Sequence, residues 1–531
     1  MAPGAPDSTT SNAVAVAPTL WGLLTRRADL TPDRVMMFDA GDRVVTYSEF
    51  VAWAERVAAG LAARGITSST PVTWQLPTRI ETVVLSMALS RLGAVQNPII
   101  PLYREREVAF LLNATGAKVF VVPGQWKGFD YADMAERLRG SVEADYDILV
   151  LDDGLPEGDP TTLPPAPADG TIIRWLYSTS GTTSKPKAVK HTDASLIAGG
   201  TGIAVAIAPE ADDVGSIAFP YAHIGGPDYL VMMLRCGLPA LLLDSFVPGE
   251  AVALMNKHRV TISGGSTAFY LAFLQEQRKS PGERILPRMR ILAGGGAPKP
   301  PEVFWQCQRE LGIKVIHGYG MTECPMIASG SVVDDDEQLA HTEGAPVLGC
   351  EVLVVDDNDE PVPAGIDGHI LVRGSMLSKG YLDEAATAES FRPDGFLRTG
   401  DRGHVRPDGH VVLTGRAKDI IIRKGENISP REVEDVLMTN PHVAAVAVIG
   451  LPDPQRGERV CAVVERPAGG PTLTFADMQA TCRAAGLMTQ KIPEQLEVLD
   501  QLPRNPTMKI LKYELVERFA AAPWSAADTR F

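Results

Sequence analysis

The sequence predicts an α/β protein. A large N-terminal domain of layered α/β sheets carries a small β subdomain, and a small α+β domain follows at the C-terminus. Three observations lead there. From residue 19 to about 170, runs at helical spacing alternate with β-branched and aromatic runs, the pattern of a layered domain with a largely parallel sheet. Between residues 260 and 325, three β-like runs each lead into glycines, as ligand-binding strands of open α/β sheets do. From about Gly349 the texture turns to short strands and tight turns, and the chain from residue 416 onward reads as a further unit. At 531 residues the chain is too long for one core, so more than one domain is required.

Residues 1–18 are rich in Ala, Pro, Ser and Thr and read as a disordered lead-in with no basic start of a signal peptide. The domain proper is expected over 19–415, with the β subdomain over about 349–415. Tyr47–Arg64 places Phe50, Val51, Trp53, Val57 and Leu61 at helical spacing. Val72–Leu76 reads as a strand, Ile80–Leu92 as a helix stopped near Gly93, and Lys118–Val122 and Asp147–Leu151 as buried strands. Leu155–Gly170, rich in Pro, Gly and Asp, is a surface loop. Ala194–Ile207 is an apolar helix. The runs ending in Ser263-Gly264-Gly265, in Gly294-Gly295-Gly296-Ala297-Pro298 and in His317-Gly318-Tyr319-Gly320-Met321-Thr322-Glu323 read as strands with glycine just past their ends. Glu351–Val355 and Gly368–Val372 are strands of the β subdomain. Over 416–531, Ile420–Ile422, Val443–Ile449 and Val460–Val464 read as strands. Ser429-Pro430-Arg431-Glu432 reads as a capping box opening a helix, with Pro at its first position.

Composition narrows the function. A net charge of −15 excludes nucleic acid as the main partner, because a phosphate backbone needs a basic face. No run reaches the ~18 apolar residues of a membrane helix. The six cysteines form no Cys-x-x-Cys pair, which fits free thiols in a cytoplasmic protein rather than a zinc site. An anionic small ligand therefore needs a local basic site. The stretch Thr179-Ser180-Gly181-Thr182-Thr183-Ser184-Lys185-Pro186-Lys187 offers one, with five hydroxyls, a glycine and two lysines after the β-like run Ile172–Tyr177. Its spacing is not that of a Walker A loop, and a Ser/Thr-rich surface turn is the alternative. His223, beside Gly225, Gly226 and Tyr221, is either a pocket residue or a satisfied core histidine.

Taken in order, the Thr-Ser-Gly-Thr-Thr-x-x-Pro-Lys loop is followed by Gly296-Ala297-Pro298, by Gly318-Tyr319-Gly320-Met321-Thr322-Glu323 and by Thr399-Gly400-Asp401. Gly415-Arg416-Ala417-Lys418-Asp419 and Lys509 complete the series. This series resembles the adenylate-forming superfamily, which includes acyl-CoA synthetases, luciferases and nonribosomal adenylation domains, and the resemblance runs from about Trp21 to Val516. Asn97–Glu107 and Gly128–Tyr131 look like those of alicyclic-carboxylate CoA ligases. The resemblance implies an acyl-CoA ligase that uses ATP, Mg²⁺ and CoA to turn a carboxylate into a thioester through an acyl-AMP. Thr179, Ser180, Gly181, Thr182, Thr183 and Lys187 would hold phosphates, and Gly296, Ala297, Pro298, Tyr319 and Gly320 would border the adenine. Thr322 would reach the α-phosphate, Glu323 would take the metal, and Asp401 with Arg416 would take the ribose. Lys509 would bridge carboxylate and α-phosphate, and His223 would stand where acyl pocket and thiol path meet. Tyr221, Gly225, Gly264, Gly294 and Met321 would line the acyl pocket, whose many glycines suggest room for an alicyclic or polycyclic acid. The resemblance also implies a mobile C-terminal domain over 416–531, with a hinge near Lys418 and Gly425 lining the thiol path.

Three positions depart from the family pattern: Ser184, Ala188 and Met508 stand where glycine is usual. All three bear on adenylation, so a second reading is an enzyme that chiefly performs the thioester-forming half from acyl-AMP. A luciferase- or carrier-loading adenylating enzyme and a non-catalytic nucleotide-binding regulator are the readings of other classes. The partners the resemblance implies are a small-molecule carboxylate, a nucleotide and CoA, with a homodimer as one option.

Overall fold

The computed structural model describes residues 13–179, 187–424, 426–505 and 508–520. Two large sheets share one core. A nine-stranded sheet runs Ala345–Pro346, Cys324–Ser329, Lys314–Met321, Ile291–Gly295, Ile262–Gly265, Gly215–Ile217, Ala240–Leu242, Val35–Asp39, Val44–Thr46. A six-stranded sheet runs Lys187–Thr192, Ile173–Thr179, Val95–Pro98, Pro71–Trp74, Val119–Val122, Asp147–Val150. The central pairings of both are parallel and the hairpins antiparallel at the margins, as the alternating pattern predicts. The helices Leu20–Leu30, Tyr47–Ala63, Ile80–Leu92 and Gly225–Cys236 bury Leu24, Phe50, Val83 and Met232 in a common apolar core with Trp74 and Ile316. Ile80–Leu92 is buried along nearly its whole circumference, with Glu81 the exception, and it ends at Gly93 in the left-handed conformation (φ 74°), a C-cap that glycine adopts without strain.

The β subdomain is a four-stranded antiparallel sheet, Cys350–Val355, Gly368–Gly374, Leu397–Val405 and Val411–Arg416. The C-terminal sheet joins Glu426–Ile428, Ile421–Arg423, Gly457–Glu465, Ala445–Asp453 and Gln495–Leu499, with the helices Pro430–Leu437, Phe475–Ala484 and Lys512–Ala520 on it. One buried apolar cluster passes from Leu311, Leu339 and Ala340 of the large part into Val433 and Leu437 of the C-terminal helix.

Three expectations are corrected. The lead-in is packed from residue 13: Ala15 is fully buried and donates its amide to Arg235, while the Arg27 guanidinium holds the Ala13 carbonyl. The capping box at Ser429 does not form, although Pro430 does open the helix. Ser429 gives its hydroxyl to the Thr414 carbonyl on the neighbouring sheet, and Glu432 pairs with Lys491, so tertiary partners replace the local ones. Of the glycines in these three runs, Gly264, Gly265, Gly294, Gly295, Gly318 and Gly320 are within the strands, and only Gly296 lies past one. A Cβ on Gly294 would lie 1.7 Å from the Gly265 carbonyl oxygen, and one on Gly264 2.4 Å from that of Ala293. Close strand approach therefore requires these glycines, and they are no measure of pocket width.

Candidate nucleotide site

The strand ends Gly215–Ile217, Ile262–Gly265, Ile291–Gly295 and Lys314–Met321 are neighbours in one sheet, so the segments that follow them meet at one edge. Gly264 pairs with Ala293, Gly265 with Gly294 and Gly295 with Gly318. Beyond Gly295, Gly296 turns at φ 80° with nothing near its missing side chain. The two carbonyls after it are pinned: His317 Nε2 donates to Ala297 O at 3.0 Å and Thr267 Oγ1 to Pro298 O at 2.8 Å.

Tyr319, Asp401 and Arg416 converge. Asp401 and Arg416 are cross-strand partners in the β subdomain. Arg416 Nε donates to Asp401 Oδ1 at 2.9 Å, and the Tyr319 hydroxyl donates to Asp401 Oδ2 at 2.6 Å. Each carboxylate oxygen keeps a second lone pair for another donor. Burial and the adjacent Asp401 charge hold the Tyr319 hydroxyl well above its ordinary pKa. For Arg416 burial works against the charge, and Asp401 and Asp419 outweigh it, so the guanidinium is held more firmly protonated.

Thr322 and Glu323 form the two-residue turn between Lys314–Met321 and Cys324–Ser329, whose ends Met321 and Cys324 are partners. The turn is pinned on both sides. The Ser378 amide donates to Glu323 O at 2.8 Å, and His191 Nε2 donates to Thr322 O at 2.7 Å. Burial pushes His191 down to about 4, so it is neutral, with Nδ1 2.9 Å from Ser195 Oγ. Glu323 accepts the Tyr381 hydroxyl at 2.6 Å. Burial pushes its carboxyl up, opposed by Tyr381, Lys187 and Arg416. Lys187 Nζ lies 4.8 Å from the centre of the Tyr381 ring. Thr179 and Lys187 are themselves cross-strand partners, which brings the two ends of the hydroxyl-rich loop together. Its members Ser180, Gly181, Thr182, Thr183 and Ser184 lie outside the described residues, as does Gly425.

Lys509 comes to the same place from the C-terminal unit. It is half-buried on a turn in which its amide donates to Asn505 Oδ1 at 2.8 Å and its carbonyl accepts the Asn505 amide at 2.8 Å. Burial lowers its ammonium to about 8, helped by Arg416 and Lys418 and opposed by Asp401 and Asp419. Lys509 thus shares the electrostatic neighbourhood of the Asp401–Arg416 pair. Met508 before it has φ 66°, the left-handed region that disfavours a side chain. Ala188 is different. It sits in the extended strand Lys187–Thr192 opposite Ser178 and is not among the residues at positive φ, so a methyl group there carries no backbone strain.

Of the residues expected to border an acyl group, Tyr221 is buried with its ring 6.0 Å from that of Trp74, and its amide donates to Thr78 Oγ1. His223 lies just before the helix Gly225–Cys236, accepts the Gly225 amide on Nδ1 at 3.3 Å, and is lowered to about 4 by burial. Gly225 leaves ordinary contact room toward Phe219. Met321 is half-buried at the end of its strand. Lys418 lies exposed between the two units, its ammonium lowered by partial desolvation and by the neighbouring Arg416. Among the described residues, no three His, Cys, Asp or Glu side chains gather as a metal-binding group. No helix is long and apolar enough to cross a membrane among them.

Tyr381 and His191 are absent from the reading of the sequence. Tyr381 arrives because residues 379–382 lie along the strand Lys187–Thr192, with Lys379, Lys190 and Leu382 amides donating across the gap. A lone tyrosine after Lys-Gly carries no local signal of that.

A tyrosine, an aspartate and an arginine joined on one unit, with a lysine of a second, smaller unit in their electrostatic neighbourhood, is the arrangement of adenylate-forming enzymes. The comparisons agree. The pattern of AMP-binding enzymes matches residues 24–382, and that of the AMP-binding enzyme C-terminal domain matches residues 432–509; the chain belongs to this family. It is similar to a medium-chain fatty-acid–CoA ligase of Escherichia coli K12, 31% identical over 91% of this chain and 87% of that one. A 2-hydroxy-7-methoxy-5-methyl-1-naphthoate–CoA ligase of Streptomyces carzinostaticus is 32% identical over 93% of this chain and 91% of its own. Among solved structures, the o-succinylbenzoate CoA synthetase of Bacillus subtilis in complex with its acyl-adenylate superposes with a TM-score of 0.81. That match has 28% identity and covers 94% of this chain and 98% of the other.

Proposed function

We propose that this enzyme is an AMP-forming acid–thiol ligase that converts a ring-bearing carboxylic acid into its CoA thioester. The observation that carries the reading is the convergence of Tyr319, Asp401 and Arg416, with Lys509 in their electrostatic neighbourhood. In the first half, a carboxylate oxygen attacks the α-phosphorus of ATP, the bond to the bridging oxygen breaks, and pyrophosphate leaves with the electron pair. In the second, the sulfur of CoA attacks the acyl carbonyl, the bond to the AMP oxygen breaks, AMP leaves, and the thiol proton passes to solvent.

In this reading Asp401 accepts ribose hydroxyls on its remaining lone pairs, with Arg416 fixing its orientation. Gly296, Ala297, Pro298, Tyr319 and Gly320 border the base. Thr179, Ser180, Gly181, Thr182, Thr183 and Lys187 hold the outgoing phosphates. Thr322 donates to the α-phosphate, and Lys509 stabilises the charge that grows between carboxylate and phosphorus. His223, Tyr221, Gly225, Gly264, Gly294 and Met321 border the acyl group, and the region over 416–531 turns about Lys418 to bring Gly425 to the thiol path. Glu323 fits a magnesium ion, which takes one carboxylate together with substrate phosphates rather than an all-protein cage. The ion would neutralise phosphate charge. The preference for a ring acid rests on the aromatic surroundings of Tyr221 and Trp74 and on the named substrates of two of the three relatives. The six free thiols support a cytoplasmic setting.

The test is ATP–pyrophosphate exchange and CoA-dependent AMP release with octanoate, cyclohexanecarboxylate, benzoate and 1-naphthoate. Exchange with none of them, and no thioester from any of their synthetic adenylates, would end the proposal. A second reading, an enzyme confined to the thioester-forming half, is favoured by the positive φ of Met508 next to Lys509. Thioester from an adenylate without exchange would establish it.

A further inference from the structure

Behind the Gly296–Pro298 wall lies a buried group of charges that the reaction does not use. Glu343 is fully buried, and its Oε1 accepts Arg431 Nη2 of the C-terminal helix Pro430–Leu437 at 2.7 Å. Its Oε2 lies 3.7 Å from His317 Nε2, the nitrogen that donates to Ala297 O. Lys299, buried one residue past Pro298, donates to Ala340 O at 2.7 Å. Asp435, one helical turn beyond Arg431, lies 3.8 Å from the Arg431 Nε with one oxygen buried and unpartnered. Burial drives Lys299 down to about 8 and Asp435 up to about 7, whereas Arg431 outweighs burial at Glu343 and keeps it ionised.

The pair therefore bridges two units. Glu343 is fastened to the large one, its amide donating to Val411 O at 2.8 Å. Arg431 belongs to the unit that carries Lys509. Apolar contact between the units, through Leu339, Ala340, Val433 and Leu437, is non-directional and tolerates sliding. A buried charge pair does not, since a few ångströms of shift leaves two uncompensated charges out of water.

We propose that Arg431 and Glu343 are positioning residues for the adenylation half-reaction: their buried pair docks the C-terminal unit in the one register that aims Lys509 at the nucleotide. The pair touches no reacting atom and acts through Lys509. Because Glu343 also neighbours His317, which holds the Ala297 carbonyl, docking is read directly behind the nucleotide wall. This inference rests on the ligase reading above.

The test uses the full-length enzyme with Arg431→Met, Glu343→Gln and the conservative Arg431→Lys. Each is assayed for ATP–pyrophosphate exchange with whichever of the four acids serves the native enzyme best, and for thioester formation from that acid's synthetic adenylate and CoA. Breaking a buried pair should shift the docked population and lower exchange by about tenfold or more, with thioester formation from the adenylate kept within about twofold. Arg431→Lys should recover part of the exchange. An equal fall in both halves, or exchange unchanged in Arg431→Met, overturns the proposal. Backbone hydrogen exchange supplies a readout free of chemistry. In Arg431→Met the amides of Pro430–Leu437 should lose protection while those of Ala445–Asp453 and Gly457–Glu465 keep it. If those strands loosen too, the variant has unfolded and Arg431→Lys decides by the same split between halves. Should the native enzyme show neither exchange with any acid nor thioester from any of their adenylates, the ligase reading fails on its own. Hydrogen exchange then decides the docking role, which falls if the helix stays protected.

Discussion

Tyr319 donates its hydroxyl to Asp401 across 2.6 Å although 82 residues separate them. The contact ties the glycine-lined edge of the large sheet to the β subdomain and sets an aromatic ring beside a carboxylate. Asp401→Asn is expected to keep the shape and lose the charge that orders Arg416. Loss of a charged hydrogen bond of about 2 kcal/mol predicts a roughly thirtyfold fall in kcat/KM for ATP. Steady-state pyrophosphate exchange over a range of ATP concentrations checks it. An unchanged KM for ATP would remove Asp401 from the nucleotide site.

Met508 is 42% exposed at φ 66°, so its side chain adds little packing while its Cβ strains the turn. Met508→Gly should relieve about 1 kcal/mol of that strain. The expected result is a small rise in thermal stability of the C-terminal unit and a severalfold faster exchange. No rise in exchange would separate the strained turn from Lys509 placement. Ala188→Gly, at an extended position in a strand, should bring no gain.

The ammonium of Lys509, lowered to about 8, sets a pH limit. A cation is needed opposite the developing phosphate charge, so exchange should hold below pH 8 and fall as pH rises through it. Stability runs the other way. The folded state binds this proton less tightly than the unfolded chain, so between pH 8 and the ordinary lysine range rising pH favours the docked fold. Lys509→Arg should move the alkaline limb upward if any activity remains. An alkaline limb unmoved in that variant would assign it to another group.

His191 pins the Thr322–Glu323 turn through one hydrogen bond to a carbonyl. His191→Phe should cost about 1–2 kcal/mol of turn order and lower the exchange rate about tenfold, with His191→Gln between the two. Since His191 is held neutral near 4, its contribution should not vary between pH 6 and 9. A His191-dependent limb in that range would contradict the neutral assignment.

Much of this was legible from the residues alone, for local reasons. The helix Ile80–Leu92 announces itself by an apolar run and a terminal glycine, and the site residues fall in short motifs marked by their neighbours, although Tyr319, Asp401 and Arg416 lie in strands rather than turns. Partners chosen across long separations were not legible. Tyr381 reaches Glu323 over 58 positions, His191 reaches Thr322 over 131, and Arg431 reaches Glu343 over 88. The capping box at Ser429 failed for the same reason, because the Thr414 carbonyl competed for the hydroxyl. Gly264 and Gly294 carry no signal of acyl-pocket width, because glycine there answers to the adjoining backbone.

The segment 379–382 that seats Tyr381 has a further effect. Lys187–Thr192 is the outermost strand of its sheet, and these residues cover its free side with three backbone hydrogen bonds and a bridge between Val189 and Tyr381. An uncovered margin of that kind recruits other chains. Removing residues 379–382 should therefore make the protein self-associate through the strand Lys187–Thr192.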